Sequence, residues 1–272
     1  MPEKHNAERR ERYAAAVEQL GNASAPVRLG GVYTLVSLVD EWLREENIEY
    51  NERIAEGQVI INNLCAYIRS PFALVSRYDE LIQDAPTAEG LYKNREQEFY
   101  IDKAGLESEK KVRLSIIKEI RHRLQGSKEN APGVWSDFEY DFSGSIFFYP
   151  VDFTHSYYAK PVNFSGSAYW GEADFSYSTY MDEVYFSESS YQGRAGFSGS
   201  IYQGEADFRG STYRGSAGFA RSTYRGEVYF SGSTYLSEAV FRGSVYRCAA
   251  AFNDSVYHYW VDLRGSTYQG AA

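Results

Sequence analysis

Four histidines, His5, His122, His155 and His258, and two cysteines, Cys65 and Cys248, are the residues best suited to metal or nucleophilic chemistry in this chain. Metal binding needs two or more such ligands close together, as in HExxH or CxxC, and no pair here has that spacing. Serine is plentiful, but none stands in a GxSxG elbow that would expose its hydroxyl between a strand and a helix. The recurring "GSTYRGS" lacks the strand-to-helix setting in which glycines cradle a phosphate. These absences predict a chain that is not an enzyme and uses no cofactor and no metal. The carboxylates are better ordered. Glu172, Glu183, Glu205, Glu227 and Glu238 recur at multiples of eleven residues, with Arg194 interrupting. A column of carboxylates without a base or a metal partner binds cations or basic surfaces and does no chemistry.

The elements that position this column carry the same period. From Phe142 through Phe153, Phe164, Phe175 and on to Phe252 and Leu263, an apolar residue returns every eleven positions without an insertion. Five residues after each stands a second aromatic, from Phe147 and Tyr158 to Tyr257 and Tyr268. Eleven residues match three helical turns, but Gly166 and Gly171 inside one copy each cost a helix about 1 kcal/mol. The period is therefore that of a solenoid. Two residues before each ladder phenylalanine from Phe175 on is Ala or Val, and two before each ladder tyrosine is Ser, as at Ala206 and Ser211. Residues two apart on an extended segment share a face, so one small and one large side chain point inward from each short side. A single copy buries almost nothing; stacked copies make a core.

"ADFSG" at 173 and "ADFRG" at 206 resemble the pentapeptide repeat, here alternating with a six-residue unit such as "STYRGE". This combination is similar to a phenylalanine-rich actinobacterial variant. The resemblance implies a right-handed quadrilateral β-helix over residues 142 to 272, with twelve 11-residue copies. Two copies per four-sided coil would give about six coils and a rod of roughly 29 Å. A flattened solenoid with one copy per coil satisfies the same pattern. The tyrosines depart from the family's usual leucine. Each buried hydroxyl needs a partner, and the serine two residues upstream, or a corner carbonyl, is the expected one.

Residues 1 to 126 form a helical module. "SAPVRLGGVYTLVSLVDEWLREE" offers Ser24 as a cap, Pro26 in the first turn and a stripe of Leu29, Val32, Val36, Val39 and Leu43. Gly30 and Gly31 within it predict the close approach of a neighbouring helix. Ile54, Ile61, Leu64 and Ile68 make the stripe of a further helix ending before Pro71, and Val112, Ile116, Ile120 and Leu124 that of another. Its basic residues in "KKVRLSIIKEIRHR" are expected on a solvated face. Short amphipathic helices suggest a HEAT or armadillo-like array, similar to the module preceding pentapeptide repeats in many actinobacterial proteins. Residues 127 to 141, with Trp135 and Phe138, are expected to plug the first coil. The overall expectation is an α+β multidomain chain.

Charge narrows the function further. Residues 136 to 272 hold 15 acidic and 9 basic side chains, the rest 22 and 19, which gives the net −9 of the whole. Phosphate contacts drive nucleic-acid affinity, so no direct nucleic-acid binding is expected. The polar start "MPEKHNAERRERY" and the lack of an apolar run of some 20 residues argue against a signal peptide or a membrane span, and a cytoplasmic location is expected. The function expected is a non-enzymatic scaffold for a protein partner. The alternative, implied by the family resemblance and the glutamate column, is an acidic mimic of DNA that binds an enzyme such as DNA gyrase. Near the end, Tyr257, Tyr259, Trp260 and Leu263 form the densest aromatic cluster. It either joins two copies as a homodimer or folds over its own coil.

Overall fold

The computed structural model describes residues 2–270. Four long helices, α1 (Pro2–Leu20), α2 (Ala25–Leu43), α3 (Tyr50–Arg69) and α5 (Glu96–Leu124), come first, with a single turn α4 (Tyr78–Leu81) between the last two. The most apolar helix, α2, lies at the centre and packs on α1, α3 and α5. Its stripe is buried at Val32, Leu35, Val36, Leu38, Val39 and Trp42. Gly31 is where α1 comes close: a Cβ there would sit 2.7 Å from the Ala16 carbonyl oxygen. A Cβ on Gly30 would meet only the Gln19 side chain, at an ordinary 3.8 Å, so only one of the two glycines is required by close packing. Ser24 holds the N-cap position, but its side chain makes no capping bond.

From Tyr140 onward the chain is a parallel β-solenoid. Its strands are two residues long and fall into four sheets of six. Side I contains Tyr140–Asp141, Val162–Asn163, Val184–Tyr185, Ala206–Asp207, Val228–Tyr229 and Ala250–Ala251; sides II, III and IV follow in chain order around each coil. Strand partners are 22 residues apart, as in Val184↔Ala206↔Val228. Two 11-residue copies therefore make one coil, and the one-copy coil is excluded. Successive copies lie on opposite sides, phenylalanines on I and III and tyrosines on II and IV.

The expected inward residues are buried throughout the middle of the rod. Phe208 stacks on Phe186 and Phe230 at 5.0 and 5.1 Å along side I. It meets Phe197 and Phe219 of side III edge to face at 5.1 and 5.2 Å. Tyr191 and Tyr213 stack at 4.8 Å on side II. Edge-to-face and offset contacts at these distances suit the aromatic quadrupole. The residue two after each phenylalanine is left-handed at the corner: Gly210 has φ +64°, and even Arg221 adopts φ +59°. At the other kind of corner the coils nearly touch. A Cβ on Gly226 would lie 2.2 Å from the Gly204 carbonyl oxygen.

The expectation for the tyrosine hydroxyls fails. Those of Tyr158 to Tyr246 in the ladder have no hydrogen-bond partner. The serines are committed to the backbone: Ser211 Oγ donates to the Phe186 carbonyl at 3.0 Å and accepts the Ser189 N–H at 3.2 Å. With two-residue strands, the corner backbone depends on these bonds, and the serine side chain turns toward it.

Helices and solenoid share one continuous core. Trp135 and Phe138 are fully buried in it. Phe138 presses its ring where α3 has Gly57, and Tyr140 donates its hydroxyl to the Trp135 carbonyl at 2.9 Å. The basic face of α5 is not solvated throughout. Arg113 is 2% exposed, with Nε on Glu109 at 2.7 Å and its other nitrogens on the Ile68 and Ser70 carbonyls at the end of α3.

Candidate interaction surfaces

The outward residues of each side form the candidate sites, and the 22-residue coil decides which of them meet. Glu183, Glu205 and Glu227 precede strands of side I and lie one coil apart. Glu172 and Glu238 precede strands of side III, on the opposite side of the rod, and their slot also holds Arg194, Ser216 and Trp260. The five glutamates are thus two columns, because copies an odd number apart face opposite ways.

Side I is the more strongly acidic surface. Burial pushes the Glu205 carboxyl up, and its neighbours Asp207, Glu183 and Glu227 add to this against the pull of Arg209. Tyr185 donates its hydroxyl to Glu183, and Tyr229 donates to Glu227. The bond to Glu183, with some burial, moves the Tyr185 phenol up to about 12. Arg209 forks onto Asp207, both contacts at 2.9 Å, and lies over the Tyr229 ring at 4.8 Å.

The arginines are the signal that the sequence reading passed over. Most of them gather around edges other than that of the acidic column. Only Arg209 and Arg264 of the eight solenoid arginines have an ion pair among the described residues. Arg221 and Arg242 stand at the edge between sides III and IV, and Arg225 and Arg247 at the edge between IV and I. Sorting the sequence by 22 instead of 11 reveals this.

The aromatic cluster lies in the last coil. Tyr257 stacks on Tyr235 at 4.8 Å, pointing inward. Tyr259, Trp260 and Leu263 are 61%, 47% and 42% exposed, and the Trp260 indole donates to Glu238 at 3.2 Å.

Clefts occur where helices meet the solenoid. One, about 640 Å³, runs between α5, at Leu114, Lys118 and Arg121, and the strands around Asp152 and Asp174. Arg121 bridges it to Asp152 at 2.9 Å. Among the described residues no three His, Cys, Asp or Glu side chains converge as a metal site. Burial pushes the Cys65 thiol up to about 12, which leaves it an inert core group. One stretch, Tyr50–Leu81, reaches the hydropathy of a membrane span, although its helix α3 buries Ile60, Ile61, Leu64 and Ile68 inside the module.

This geometry defines a repeat β-solenoid with a helical module packed on its first coil, an architecture of the scaffold kind. No protein-family model, no curated protein and no solved structure matches the chain.

Proposed function

We propose that this chain is a non-enzymatic scaffold of the pentapeptide-repeat kind, which holds another protein against the sides of its rod. One observation supports this most: inward positions repeat from coil to coil while the outward ones change chemistry freely. Side I shows Glu183, Glu205 and Glu227; side IV shows arginines; side II shows Ala168, Ser190, Thr212 and Thr234. A core independent of its surface lets each side present a different pattern on a fixed lattice. The free thiols Cys65 and Cys248 agree with a cytoplasmic setting. The exposed Tyr259 and Trp260 would, on this reading, join two copies through the last coil.

Photo-crosslinkers placed in the full-length protein at Ser187, Thr212, Ser198 and Thr223, one on each side, test the scaffold reading in a cell extract. The expected result is one partner captured from one side only. Equal capture of unrelated proteins from all four sides would sink it.

The second reading, an acidic mimic of DNA directed at an enzyme such as gyrase, draws support from the three-glutamate column of side I. It predicts inhibition of supercoiling that weakens when Glu183, Glu205 and Glu227 become glutamine. No inhibition at micromolar protein removes it.

A further inference from the structure

Side IV of the fourth and fifth coils is bordered by four exposed arginines, Arg221 and Arg242 along one edge, Arg225 and Arg247 along the other. Between them runs a half-buried, uncharged pair, Thr223 and Val245, which are direct strand partners. Arg221 and Arg242 lie in adjacent coils but in different slots, two residues after Phe219 and one after Phe241, and the Arg221 N–H donates to the Arg242 carbonyl at 2.9 Å. Among the described residues no carboxylate stands within ion-pair distance of any of the four, in a protein of net charge −9. Arg225 does donate to Gln203 at 3.3 Å, and Arg242 is near enough to Asp262 to add to the pull of Arg264 that lowers its carboxyl. In the helical module, by contrast, nearly every arginine has an acidic partner, Arg9, Arg12, Arg28, Arg77 and Arg123 among them. Arg225 and Arg247, one coil apart in the same column, are like charges about 4.8 Å apart that repel one another, and neither has a carboxylate partner among the described residues.

We propose that this surface binds an extended acidic polypeptide segment of a partner protein, with carboxylates held in the forks of Arg221, Arg225, Arg242 and Arg247. The proposal rests on the scaffold reading and names the chemistry of the partner. Its first support is the residue type. Eight of the nine basic residues from 136 onward are arginine, Lys160 being the exception, and arginine is the side chain that grips a planar carboxylate with two parallel bonds. The second is an internal precedent. Arg209 and Arg264, the solenoid arginines that do have partners, each bind an aspartate through Nε and Nη2 together. The forks that hold aspartate show what the others, Arg225 with only Gln203 at 3.3 Å among them, can accept.

The same surface disfavours a nucleic acid. Tyr224 and Tyr246, the tyrosines of this side, are buried, so no ring is presented for a base to stack on. Around the corner, Glu205 and Glu227 would face the second strand of any duplex wide enough to reach over the edge. A single extended peptide fits between the two arginine edges and lies along Thr223 and Val245.

The test uses the full-length protein and a fluorescein-labelled peptide of alternating glutamate and threonine, followed by anisotropy at low salt. Saturable binding is expected. The double variant Arg225→Gln/Arg247→Gln should weaken it by about tenfold, as loss of two charge-assisted forks implies. Arg225→Lys/Arg247→Lys should recover only part of that, since lysine keeps the charge but not the fork. Arg194→Gln/Arg214→Gln, which removes equal charge from another edge, should change binding by no more than about twofold. Absence of saturation, or equal losses from both glutamine pairs, would overturn the proposal while leaving the scaffold reading intact. Tighter binding of a single-stranded oligothymidylate at the same arginines would overturn both.

Discussion

Trp135 donates its indole N–H to Asp40 at 2.9 Å, which ties the segment leading into the first coil to the helix at the centre of the helical module. Arg123 forks onto the same carboxylate at 2.8 and 3.0 Å and lies over the Trp135 ring at 4.9 Å. One aspartate thus joins α2, α5 and the solenoid. Asp40→Ala would leave a mostly buried indole N–H and guanidinium without their acceptor, at a cost of about 2–3 kcal/mol. Denaturant unfolding measures this. A loss below about 0.5 kcal/mol, the level of an ordinary surface change, would show that the junction does not depend on it.

In the middle of the rod, Phe208→Ala should cost roughly 3–5 kcal/mol, because Phe208 touches four phenylalanines and the coils cannot collapse into the gap. Gln203→Ala, at an outward corner, should stay within about 0.5 kcal/mol. Equal denaturant midpoints for the two variants would contradict the core described above.

The unpartnered hydroxyls give a prediction with the opposite sign. Tyr213→Phe removes a buried O–H that has no partner and should leave stability unchanged or raise it by up to about 1 kcal/mol. Ser211→Ala, two residues away, orphans the Phe186 carbonyl and the Ser189 N–H and should cost about 1–3 kcal/mol. Thermal melts of both variants decide it. A clear loss with Tyr213→Phe would mean that the hydroxyl has a stabilising partner.

Burial holds the ladder phenols, Tyr169, Tyr180, Tyr191, Tyr213, Tyr224 and Tyr235 among them, well above their ordinary value. A raised folded value means that their stabilisation is complete below the unfolded value near 10 and is lost as the pH climbs past it. Each contributes about 1.4 kcal/mol per pH unit above that point, so together they amount to on the order of 10 kcal/mol per unit, comparable to the whole stability of a domain. The protein should unfold abruptly within about one unit above pH 10. Phenolate absorbance and circular dichroism, recorded together, should change together. Phenolates appearing near pH 10 with the dichroism unchanged would show that the rings are open to solvent.

If the last coil joins two copies, light scattering after gel filtration should show a dimer, and Trp260→Glu should convert it to monomer by placing a charge beside Glu238. A native monomer, or a dimer unaffected by the substitution, would remove the interface.

How far the sequence could be read follows from what repeats. Phe164 and Tyr169 announce inward positions because their slots recur in every copy, and periodicity is enough to find them. Coil length is invisible to the same argument, since 11 and 22 residues give identical inward patterns. The glutamates suffered most from this: Glu172 and Glu183 look adjacent in an 11-residue column but stand on opposite sides. Tyr191 and Ser189 suit one another by spacing, yet the serine hydroxyl donates to the Phe164 carbonyl and accepts the Ser167 N–H of the preceding coil. In α5, Glu109 and Arg113 resemble any solvated pair four residues apart. Nothing local records that α3 ends over them, with Tyr67 donating to Glu109 at 2.9 Å.

The half-coil repeat has an evolutionary corollary. Duplicating or deleting one 11-residue copy would preserve every inward aromatic and every corner, so the descendant would still fold. Yet each coil beyond the change would turn half a revolution against those before it. The carboxylates of side I would then continue on side III, and the arginines of side IV on side II. Gains or losses of 22 residues lengthen or shorten the rod and leave its surfaces aligned. Parity of copy number is thus inherited like a switch: a single genetic slip of odd size re-deals which charges share a side, at no cost to the core.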